Sequence, residues 1–468
     1  MTTTVVIGGG ITGLSTCYYL QRGDRPSEDA MKLILVEAEP ELGGKIRTVY
    51  KEDFIMETGA DSIVARKSNV LPFIQELGLE DAVVYNGTGT SYIYTNAGLK
   101  KIPADSLFGI PVGVQALVES ELVSSEGKLE ALKDLYTPNE VFTKDDSLGL
   151  FLEAFLGQEL VEKQIAPVIS GVYSGQLQDL TIASTLPFLL DYKNQYGSIM
   201  QGLYENRKLY LGAANKKFIS FQGGMSFLIQ RLEERLSSGG AIIYKGVAAE
   251  SMEASGQGYK LRLSDGSVLE ADQVVLSGGS APTQALLQDR ELDEMFQGLL
   301  TKSMISIYLA FDIPDHRLPS DGTGFINASE FGLICDASTW SSRKWEHTSK
   351  SRRLLVRLFY KSSNPQYDKL RGMSDQELED LALQDVTASL GLSEKPVEAV
   401  VTRWQDNMPN YHLEHRRIVE KLEAAMQERW PGVYLAGCSY YGVGIPDCIL
   451  NGQKTAQQLL DLLSAQQS

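Results

Sequence analysis

The order of apolar and polar residues predicts a strand, a helix and a second strand at the start of the chain. A short β-branched run over residues 4–7 is typical of a strand, and an apolar run at helical spacing follows over 14–20. A second apolar run over 32–37 predicts the next strand. Together these segments predict a βαβ unit, in which the two strands run parallel.

The end of the chain repeats part of this pattern. A strand is predicted over residues 433–436, followed by a glycine loop and a helix from Asp447 to about Leu463. Because this strand, loop and helix resemble the opening unit, we expect both ends of the chain to belong to one domain. The region between them is then an insertion.

The middle of the chain divides into one helical part and two strand-rich parts. Residues from about 105 to 215 have mostly helical spacing. Residues 240–279 alternate like strands around a hairpin turn at Asp265-Gly266. Residues 295–410 mix strands with one clear helix over 374–390. The pattern therefore predicts a mixed helix and strand fold rather than an all-helical one.

Three glycines after the first strand have the spacing of a dinucleotide-binding loop, Gly8-x-Gly10-x-x-Gly13. Gly8 permits a sharp turn, Gly10 has no Cβ to keep a pyrophosphate from the backbone, and Gly13 lets the helix approach the strand. The helix N-terminus offers free N–H groups to the phosphates. Glu37, at the end of the second strand, can hold a ribose hydroxyl. The alternative is a glycine-rich turn that binds nothing.

These observations predict an α/β fold (α+β overall) with a discontinuous, Rossmann-like dinucleotide-binding domain, an inserted mixed-sheet substrate domain and a helical subdomain. We expect the dinucleotide-binding domain, which the resemblance described below makes an FAD-binding domain, at 1–90, 216–292 and 425–468. The substrate domain is expected at 91–104, 166–215 and 293–424, and the helical subdomain at 105–165.

Composition and charge narrow the function classes. The 468 residues carry a net charge of −17, which argues against binding to nucleic acid or to anionic membrane surfaces. No run approaches the ~18 apolar residues of a membrane-spanning helix. The first strand leaves no room for a signal peptide, and the four cysteines have no framework spacing. We therefore expect a cytoplasmic protein with at most peripheral membrane contact.

Several further motifs carry a family resemblance. They are Gly43-Gly44-Lys45, Glu57-Thr-Gly-Ala-Asp-Ser62, Gly171-Val-Tyr-Ser-Gly175, Leu180-Thr-Ile-Ala-Ser-Thr-Leu-Pro187 and Gly442-Val-Gly-Ile-Pro-Asp447. With the N-terminal glycines and Glu37, the chain resembles the flavin-containing amine oxidase superfamily. Within it the chain is most similar to the protoporphyrinogen and coproporphyrinogen III oxidase family, in its soluble Gram-positive type.

The resemblance implies a non-covalent FAD, one per chain, and an oxygen-dependent oxidation. Coproporphyrinogen III would lose six electrons to become coproporphyrin III, and protoporphyrinogen IX would become protoporphyrin IX, with release of H₂O₂. The flavin N5 atom would accept each hydride, so no catalytic side chain and no metal is expected. The expected partners are the porphyrinogen and O₂, with a transient contact to the next haem-pathway enzyme.

The motifs and the resemblance together imply two sets of site residues. The cofactor-binding residues are Gly8, Gly9, Gly10, Ile11, Thr12, Gly13, Glu37, Ala38, Gly43, Gly44, Lys45, Arg47, Gly59, Ala60, Asp61, Ser62, Val247, Trp404, Gly437, Gly444, Ile445 and Pro446. The substrate-binding residues are Gly171, Tyr173, Ser174 and Gly175.

Parts of the cofactor set have distinct expected roles. Residues 59–62 would pass beside the isoalloxazine ring, where only small side chains fit. The backbone at Val247 would cover the adenine, and Trp404 would pack near the flavin or in the core. Asp447 is expected to cap the last helix, whose positive end would face the pyrimidine edge of the ring and favour its reduced form.

The carboxylate anchor for the substrate stays open. Ser91 stands about where mitochondrial relatives place a substrate-facing arginine, and Ala60 stands where many relatives carry proline. Lys67, Lys100 and Lys101 are candidates for the anchor. The basic residues of 343–357 could also meet propionates, but we interpret them as a solvated face.

A cysteine and two histidines that could carry special chemistry are interpreted as structural residues. We interpret Cys438 as a small thiol rather than a covalent flavin link, and His412 and His415 as surface or capping residues rather than metal ligands.

Two other function classes remain as alternatives. One is an amine oxidase or carotenoid desaturase on the same scaffold, and the other is a flavin-free binder like the GTPase dissociation inhibitors. The intact 442–447 loop argues against the flavin-free class.

Overall fold

The computed structural model describes residues 2–23, 31–173, 177–210, 217–256, 258–328 and 332–465. Its strands are β1 (Thr2–Ile7), β2 (Met31–Glu37), β3 (Thr48–Lys51), β4 (Phe54–Glu57), β5 (Ile63–Val64), β6 (Val83–Tyr85), β7 (Thr90–Thr95), β8 (Gly98–Lys101), β9 (Ser106–Leu107), β10 (Ile110–Pro111), β11 (Phe218–Phe221), β12 (Ile242–Lys245), β13 (Ala249–Ser255), β14 (Gly258–Leu263), β15 (Val268–Ala271), β16 (Gln273–Leu276), β17 (Thr301–Pro314), β18 (Gly322–Asn327), β19 (Ala337–Thr339), β20 (Arg353–Lys361), β21 (Glu398–Pro409) and β22 (Val433–Leu435).

Its α-helices are α1 (Ile11–Arg22), α2 (Val70–Leu77), α3 (Val114–Glu119), α4 (Ser125–Ala131), α5 (Leu148–Leu156), α6 (Gln158–Leu160), α7 (Ala166–Tyr173), α8 (Pro187–Tyr196), α9 (Ile199–Glu205), α10 (Arg207–Tyr210), α11 (Ser226–Ser238), α12 (Ser280–Leu287), α13 (Asp293–Gln297), α14 (Ser341–Lys344), α15 (Tyr367–Leu370), α16 (Asp375–Leu390), α17 (His415–Arg429) and α18 (Ile445–Ala465).

A five-stranded parallel sheet joins distant parts of the chain. Its order is β12-β2-β1-β16-β22, so strands from both ends and from the middle lie side by side. The central strands are nearly continuous apolar runs because both faces of this parallel sheet are covered. One face packs against α1, α11 and α18. The other packs against the antiparallel sheet β13-β14-β15 and against α12, α13 and α17. This confirms the predicted α/β class with a sheet assembled from separate segments.

A second, seven-stranded sheet has the order β21-β17-β20-β19-β18-β7-β8 and is mixed, since only β7 and β18 pair parallel. The alternate residues of β20 face two different neighbours. Leu354, Val356 and Leu358 lie in a core with α16. Leu355 instead packs with Phe54 of β4, so the other face of the sheet rests on the β3–β4 hairpin.

The helical region from α3 to α9 forms its own apolar core around Leu148, Phe151 and Leu152. Inside it, Lys193 is fully buried and its ammonium contacts the Asp134 carboxylate at 2.8 Å. That carboxylate also accepts hydrogen bonds from Ser198 and two backbone amides, so the buried charge is compensated. The domain boundaries given above stay a prediction, and the boundary at residue 425 falls inside α17.

One predicted element boundary is wrong in a way that affects the site. The last helix begins at Ile445, not at Asp447, so Asp447 lies in the first turn instead of capping it. In the described part of the chain, none of the helices combines the length and apolar character needed to cross a bilayer.

Candidate active site

The loop between β1 and α1 is shaped by its glycines in three different ways. Gly8 has φ +109°, and a Cβ on Gly13 would lie 2.0 Å from the Gly8 carbonyl oxygen, so the helix can approach only with glycine at both positions. A Cβ on Gly9 would lie 2.5 Å from Leu42. At Gly10 a Cβ would meet no atom within 4 Å. The side of Gly10 is thus open, which fits the approach of a pyrophosphate.

The helix that follows is suited to an anion. Gly10 precedes α1 and makes no side-chain cap, and no acidic residue lies in the first turn. Ile11 and Thr12 are buried at the start of the helix. The first turn therefore offers the N–H groups of a helix N-terminus, with no acidic side chain of its own, to an anion.

Glu37 lies at the end of β2, beside this loop. Its carboxylate accepts a hydrogen bond from the Gly9 amide at 2.6 Å and another from the Glu39 amide at 2.8 Å. These bonds aim the carboxylate at the loop, where the sequence places a ribose hydroxyl. Ala38 follows Glu37 directly in the chain.

The backbone at Val247, predicted to cover the adenine, is partly occupied. Its amide donates to the Glu37 carbonyl at 3.0 Å, so only the Val247 carbonyl could contact an adenine.

The Gly43-Gly44-Lys45 segment crosses in front of the glycine loop. The Gly43 amide donates to the Gly9 carbonyl at 2.8 Å, and Gly43 and Gly44 have φ values of +119° and +57°. The Lys45 ammonium lies 3.2 Å from the Cys438 sulfur. Arg47 is exposed, and its carbonyl accepts a bond from the Thr58 amide at 2.9 Å.

The residues predicted to pass beside the flavin ring, Gly59, Ala60, Asp61 and Ser62, follow β4. A Cβ on Gly59 would lie 1.9 Å from the Lys45 carbonyl oxygen, so Gly59 is needed for the contact with the Gly43–Lys45 segment whether or not a ring lies nearby. The Ala60 amide donates to the same carbonyl at 2.9 Å. These bonds hold the two segments side by side.

Asp61 is part of a charged cluster at the junction with the seven-stranded sheet. Its carboxylate contacts the Lys344 ammonium at 2.7 Å and accepts a bond from the Ser62 hydroxyl at 2.8 Å. Burial alone would raise the pKa of Asp61, but Lys344 and Arg357 lower it to about 2. The carboxylate is thus ionised at neutral pH.

Arg357 is the residue that fixes this junction. Its guanidinium is 3% exposed and donates to the Thr58 carbonyl at 2.7 Å, the Gly59 carbonyl at 2.9 Å and the Ser306 hydroxyl at 3.0 Å. The Trp404 indole N–H donates to the same Thr58 carbonyl at 3.0 Å. The segment beside the predicted ring position is therefore clamped from the second sheet.

The interpretation of residues 343–357 as a solvated face is wrong for its inner members. Arg343 and Lys344 have side chains only 11% and 13% exposed and pair with Asp315 and Asp61. Arg357 is buried against two backbone carbonyls, as described above. These cations are structural because they neutralise acids and carbonyls inside the junction.

The C-terminal loop brings the N-terminus of α18 beside that of α1. A Cβ on Gly452 would lie 2.7 Å from the Thr12 carbonyl oxygen, and one on Gly23 would lie 2.1 Å from Leu460. The two helices therefore run parallel in close contact, with their positive ends at the same edge of the sheet. Gly437 (φ +103°) and Gly442 (φ +114°) turn the chain toward Gly444, Ile445 and Pro446 at that edge.

The three lysines offered as carboxylate anchors are all paired with acids. Lys67 contacts Asp447 at 2.9 Å, Lys100 contacts Glu121 at 3.4 Å, and Lys101 pairs with Asp321. Ser91 lies 3.3 Å from the Thr323 hydroxyl on the neighbouring strand. None of these is a ready anchor.

The substrate-facing prediction falls at the edge of the described chain. Gly171 and Tyr173 lie in α7, whereas Ser174 and Gly175 lie outside the described residues.

The two histidines considered as metal ligands each bond a backbone carbonyl: His412 that of Gly298 at 2.9 Å and His415 that of Ser439 at 3.0 Å. His415 is buried, so it is not a surface residue.

Sequence reasoning missed several residues that shape this site. The Ser277 hydroxyl donates to the Ile7 and Gly8 carbonyls at 3.0 and 2.9 Å. Gly278, whose Cβ position is open, follows it after β16. The pair Gly278-Gly279 after an apolar strand was the available signal. Gly452 and Arg357 had no comparable local signal.

Comparison with known proteins agrees with this geometry. A family model described as flavin containing amine oxidoreductase matches residues 11–460. Coproporphyrinogen III oxidase of Bacillus subtilis (strain 168) is 32% identical, over 98% of both chains, and its namesake in Staphylococcus aureus is 31% identical, over 97% of this chain and 98% of that protein. A crystal structure of a candidate protoporphyrinogen oxidase from Exiguobacterium sp. 255-15 is 30% identical, with a TM-score of 0.87 over 98% of this chain and 99% of that one.

These matches confirm the resemblance stated from the motifs, and with it FAD as the cofactor and an oxidoreductase activity. The open side of Gly10, the helix N-terminus behind it and the carboxylate of Glu37 fit the phosphates and ribose of that cofactor. The chain belongs to the flavin-containing amine oxidoreductases and, among them, to the family of the coproporphyrinogen III and protoporphyrinogen oxidases.

Proposed function

We propose that the protein oxidises coproporphyrinogen III to coproporphyrin III, and protoporphyrinogen IX to protoporphyrin IX, with O₂ as the final acceptor. The observation that carries this proposal is the match over 98% of both chains to the Bacillus subtilis enzyme of that name. FAD, when bound, supplies the two-electron acceptor; six electrons leave the macrocycle, and O₂ takes them up as H₂O₂.

Each segment of the predicted cofactor site has a role toward FAD in this proposal. The glycine loop, Gly43-Gly44 and the first turn of α1 would hold the pyrophosphate, and Glu37 would hold the ribose. Residues 59–62, clamped by Arg357, would support the ring. Reduction puts negative charge on the pyrimidine edge of the ring, so the positive end of α18 beside that edge would favour the reduced form.

A half-buried apolar face next to the clamped segment suits a flat macrocycle. Phe359 follows Arg357 on the same face of β20, with the guanidinium carbon 4.7 Å from its ring centre. Met304 lies beside it on β17, and Trp404 pairs with Met304 on β21. All three side chains are half-buried, unlike the fully buried residues on the opposite face. Such a face orients an apolar ring system and excludes water from it.

The test is aerobic turnover of the FAD-loaded protein. We expect coproporphyrinogen III to become fluorescent, with three O₂ consumed and three H₂O₂ formed per porphyrin, and no fluorescence above the non-enzymatic rate without O₂. A yellow, folded protein that leaves both porphyrinogens unchanged in air would overturn the proposal.

The setting of the reaction is also proposed. The net charge of −17 and the absence of a membrane-crossing helix among the described residues support a cytoplasmic enzyme with at most peripheral membrane contact. A transient contact with the next haem-pathway enzyme would let the product pass on directly.

A further inference from the structure

The face of the second sheet that carries Phe359 changes character along its length. Near the FAD-binding region, Leu355 and Arg357 are buried against the β3–β4 hairpin and the Thr58–Gly59 carbonyls. Further along the strand, Phe359 and Lys361 are half-buried. Lys361 lies four residues beyond Arg357, so about 13 Å separates them along an extended strand at roughly 3.3 Å per residue.

Two lysines line a cleft at this far end. Lys302 of β17 and Lys361 of β20 flank Met304, with Ser362, Ser363 and Met408 around them. The cleft is small, with room for a water-sized group beside the two lysines. The cleft can therefore seat the tip of a substituent but not a ring.

Neither ammonium group forms a salt bridge with a described acid, although Asp336 lies near enough to Lys361 to act on it electrostatically. No carboxylate lies within 4.0 Å of the Lys302 or Lys361 nitrogen in the part of the chain that the structure describes. The Lys361 ammonium donates one hydrogen bond, to the Ser170 carbonyl at 3.1 Å, and keeps further donors. By contrast, Lys67, Lys100 and Lys101, the anchors first suggested by the sequence, are all paired.

The contact with Ser170 also places this cleft beside the predicted substrate segment. Ser170 directly precedes Gly171 in α7. Lys361 thus lies where α7 meets the sheet, with Phe359 between it and Arg357 along β20 and Met304 directly across from it on β17. Burial lowers the pKa of Lys361, and the nearby Asp336 raises it. A bound anion would favour its charged form in the same way.

We propose that Lys302 and Lys361 form a subsite for a propionate carboxylate of the porphyrinogen. This rests on the proposed function, since it assigns part of that substrate. With the macrocycle on the Met304–Phe359–Trp404 face, a propionate arm extends along the sheet to the two ammonium groups. In a chain with an excess of acids, two ammonium groups without a salt bridge at the end of an apolar face favour an anionic substituent.

The test compares the acid with an ester that lacks the charge. Lys302→Met keeps the apolar stem and removes the ammonium. We expect it to raise the KM for coproporphyrinogen III about tenfold, the usual cost of one charge-assisted hydrogen bond, and to leave kcat within about twofold. Fluorescence titration measures the binding of coproporphyrin III. Its dissociation constant should rise by the same factor as the KM, whereas that of its tetramethyl ester should not change.

Three further variants complete the experiment. Lys302→Arg should recover most of the affinity because the charge returns, and Lys421→Met, on the exposed side of α17, removes the same charge elsewhere and should have no effect. Lys361→Met should behave like Lys302→Met, with its melting temperature measured because Lys361 also holds Ser170.

The outcomes separate the subsite from the proposed function. If wild-type protein oxidises coproporphyrinogen III but Lys302→Met binds acid and ester as wild type does, the subsite is wrong and the function stands. Equal losses for acid and ester would also overturn it, because they would indicate lost packing. A wild-type protein that neither oxidises nor binds these tetrapyrroles would overturn both.

Discussion

At the scale of single residues, the glycines of the site differ in what they make room for. Gly13 and Gly59 make room for the protein's own backbone, since a Cβ on either would lie within about 2 Å of a carbonyl oxygen. A Cβ on Gly10, by contrast, would have no atom of the described chain within 4 Å, so the space beside Gly10 is left free. Of these three glycines, Gly10 is the one that can be substituted to affect the cofactor without disturbing the fold.

Gly10→Ala should separate cofactor binding from stability. Gly10 has φ −71° and ψ 173°, which alanine also adopts, so the unfolding free energy of the FAD-free protein should change by no more than about 0.5 kcal/mol. The dissociation constant for FAD should rise roughly tenfold or more, because the methyl group occupies the phosphate side of the loop. Flavin fluorescence titration and urea unfolding measure the two effects. Gly372→Ala, in the exposed turn between α15 and α16, is the control, and an unchanged FAD affinity in Gly10→Ala would contradict the site.

Arg357→Gln should be strongly destabilising. The change leaves the Thr58 and Gly59 carbonyls without their cationic donor and leaves Asp61 with one fewer counter-charge. We expect a loss of about 3 kcal/mol in the free energy of unfolding, from the range seen when one partner of a buried charged network is removed. Arg371→Gln, which removes an exposed pair with Asp368, should cost less than about 0.5 kcal/mol. If urea midpoints for both variants matched wild type, the clamp would have no energetic role.

At the scale of elements, Glu57 connects the β3–β4 hairpin to α11. Its carboxylate accepts bonds from the Met225 amide at 2.8 Å, just before α11, and from the Thr48 hydroxyl at 2.8 Å. Burial is the main reason that the pKa of Glu57 rises to about 7. The hairpin and the helix are therefore joined by an acid that is half-protonated near neutral pH.

This connection predicts a pH dependence of stability. Because the folded pKa lies above the ordinary value of 4.5, the contribution is fully present below pH 4.5 and is lost as pH rises through about 7. Stability of the wild type should fall by about 2–3 kcal/mol between pH 4.5 and 8 relative to Glu57→Gln, which cannot ionise. Urea midpoints across this range measure it, with exposed Glu253→Gln as the control. Parallel curves for wild type and Glu57→Gln would show that Glu57 is ionised throughout.

The elements also show which features the sequence could predict. The strands of the parallel sheet and the glycine loop were predicted closely because their signals are local: apolar runs and glycine spacing. The clamp at Arg357 could not be predicted in this way. Arg357 is held by the carbonyls of Gly59 and Thr58, 298 and 299 residues earlier, and no local pattern around Arg357 indicates these partners. The start of α18 was also missed, since Asp447 has the composition of a cap but pairs with Lys67 from the first turn.

At the scale of the whole molecule, the two ends of the chain form one site. Helices α1 and α18 run parallel, with Gly452 against Thr12, and the five-stranded sheet takes strands from residues 2–7, 31–37, 242–245, 273–276 and 433–435. A ligand that contacts the N-termini of both helices connects segments separated by more than four hundred residues. Its binding energy therefore stabilises the arrangement of the entire FAD-binding region.

Removing FAD should lower the melting temperature of the whole chain. At a free FAD concentration one hundred times the dissociation constant, mass action stabilises the folded protein by about 2.7 kcal/mol, which corresponds to several degrees. FMN, which lacks the adenylate half, should give a much smaller shift at the same concentration because the Gly8–Gly13 loop and Glu37 have nothing to hold. In Gly10→Ala the shift with FAD should shrink toward the FMN value. Differential scanning calorimetry measures these shifts. Equal shifts with FAD and FMN in the wild type would show that the N-terminal loop contributes nothing to cofactor binding.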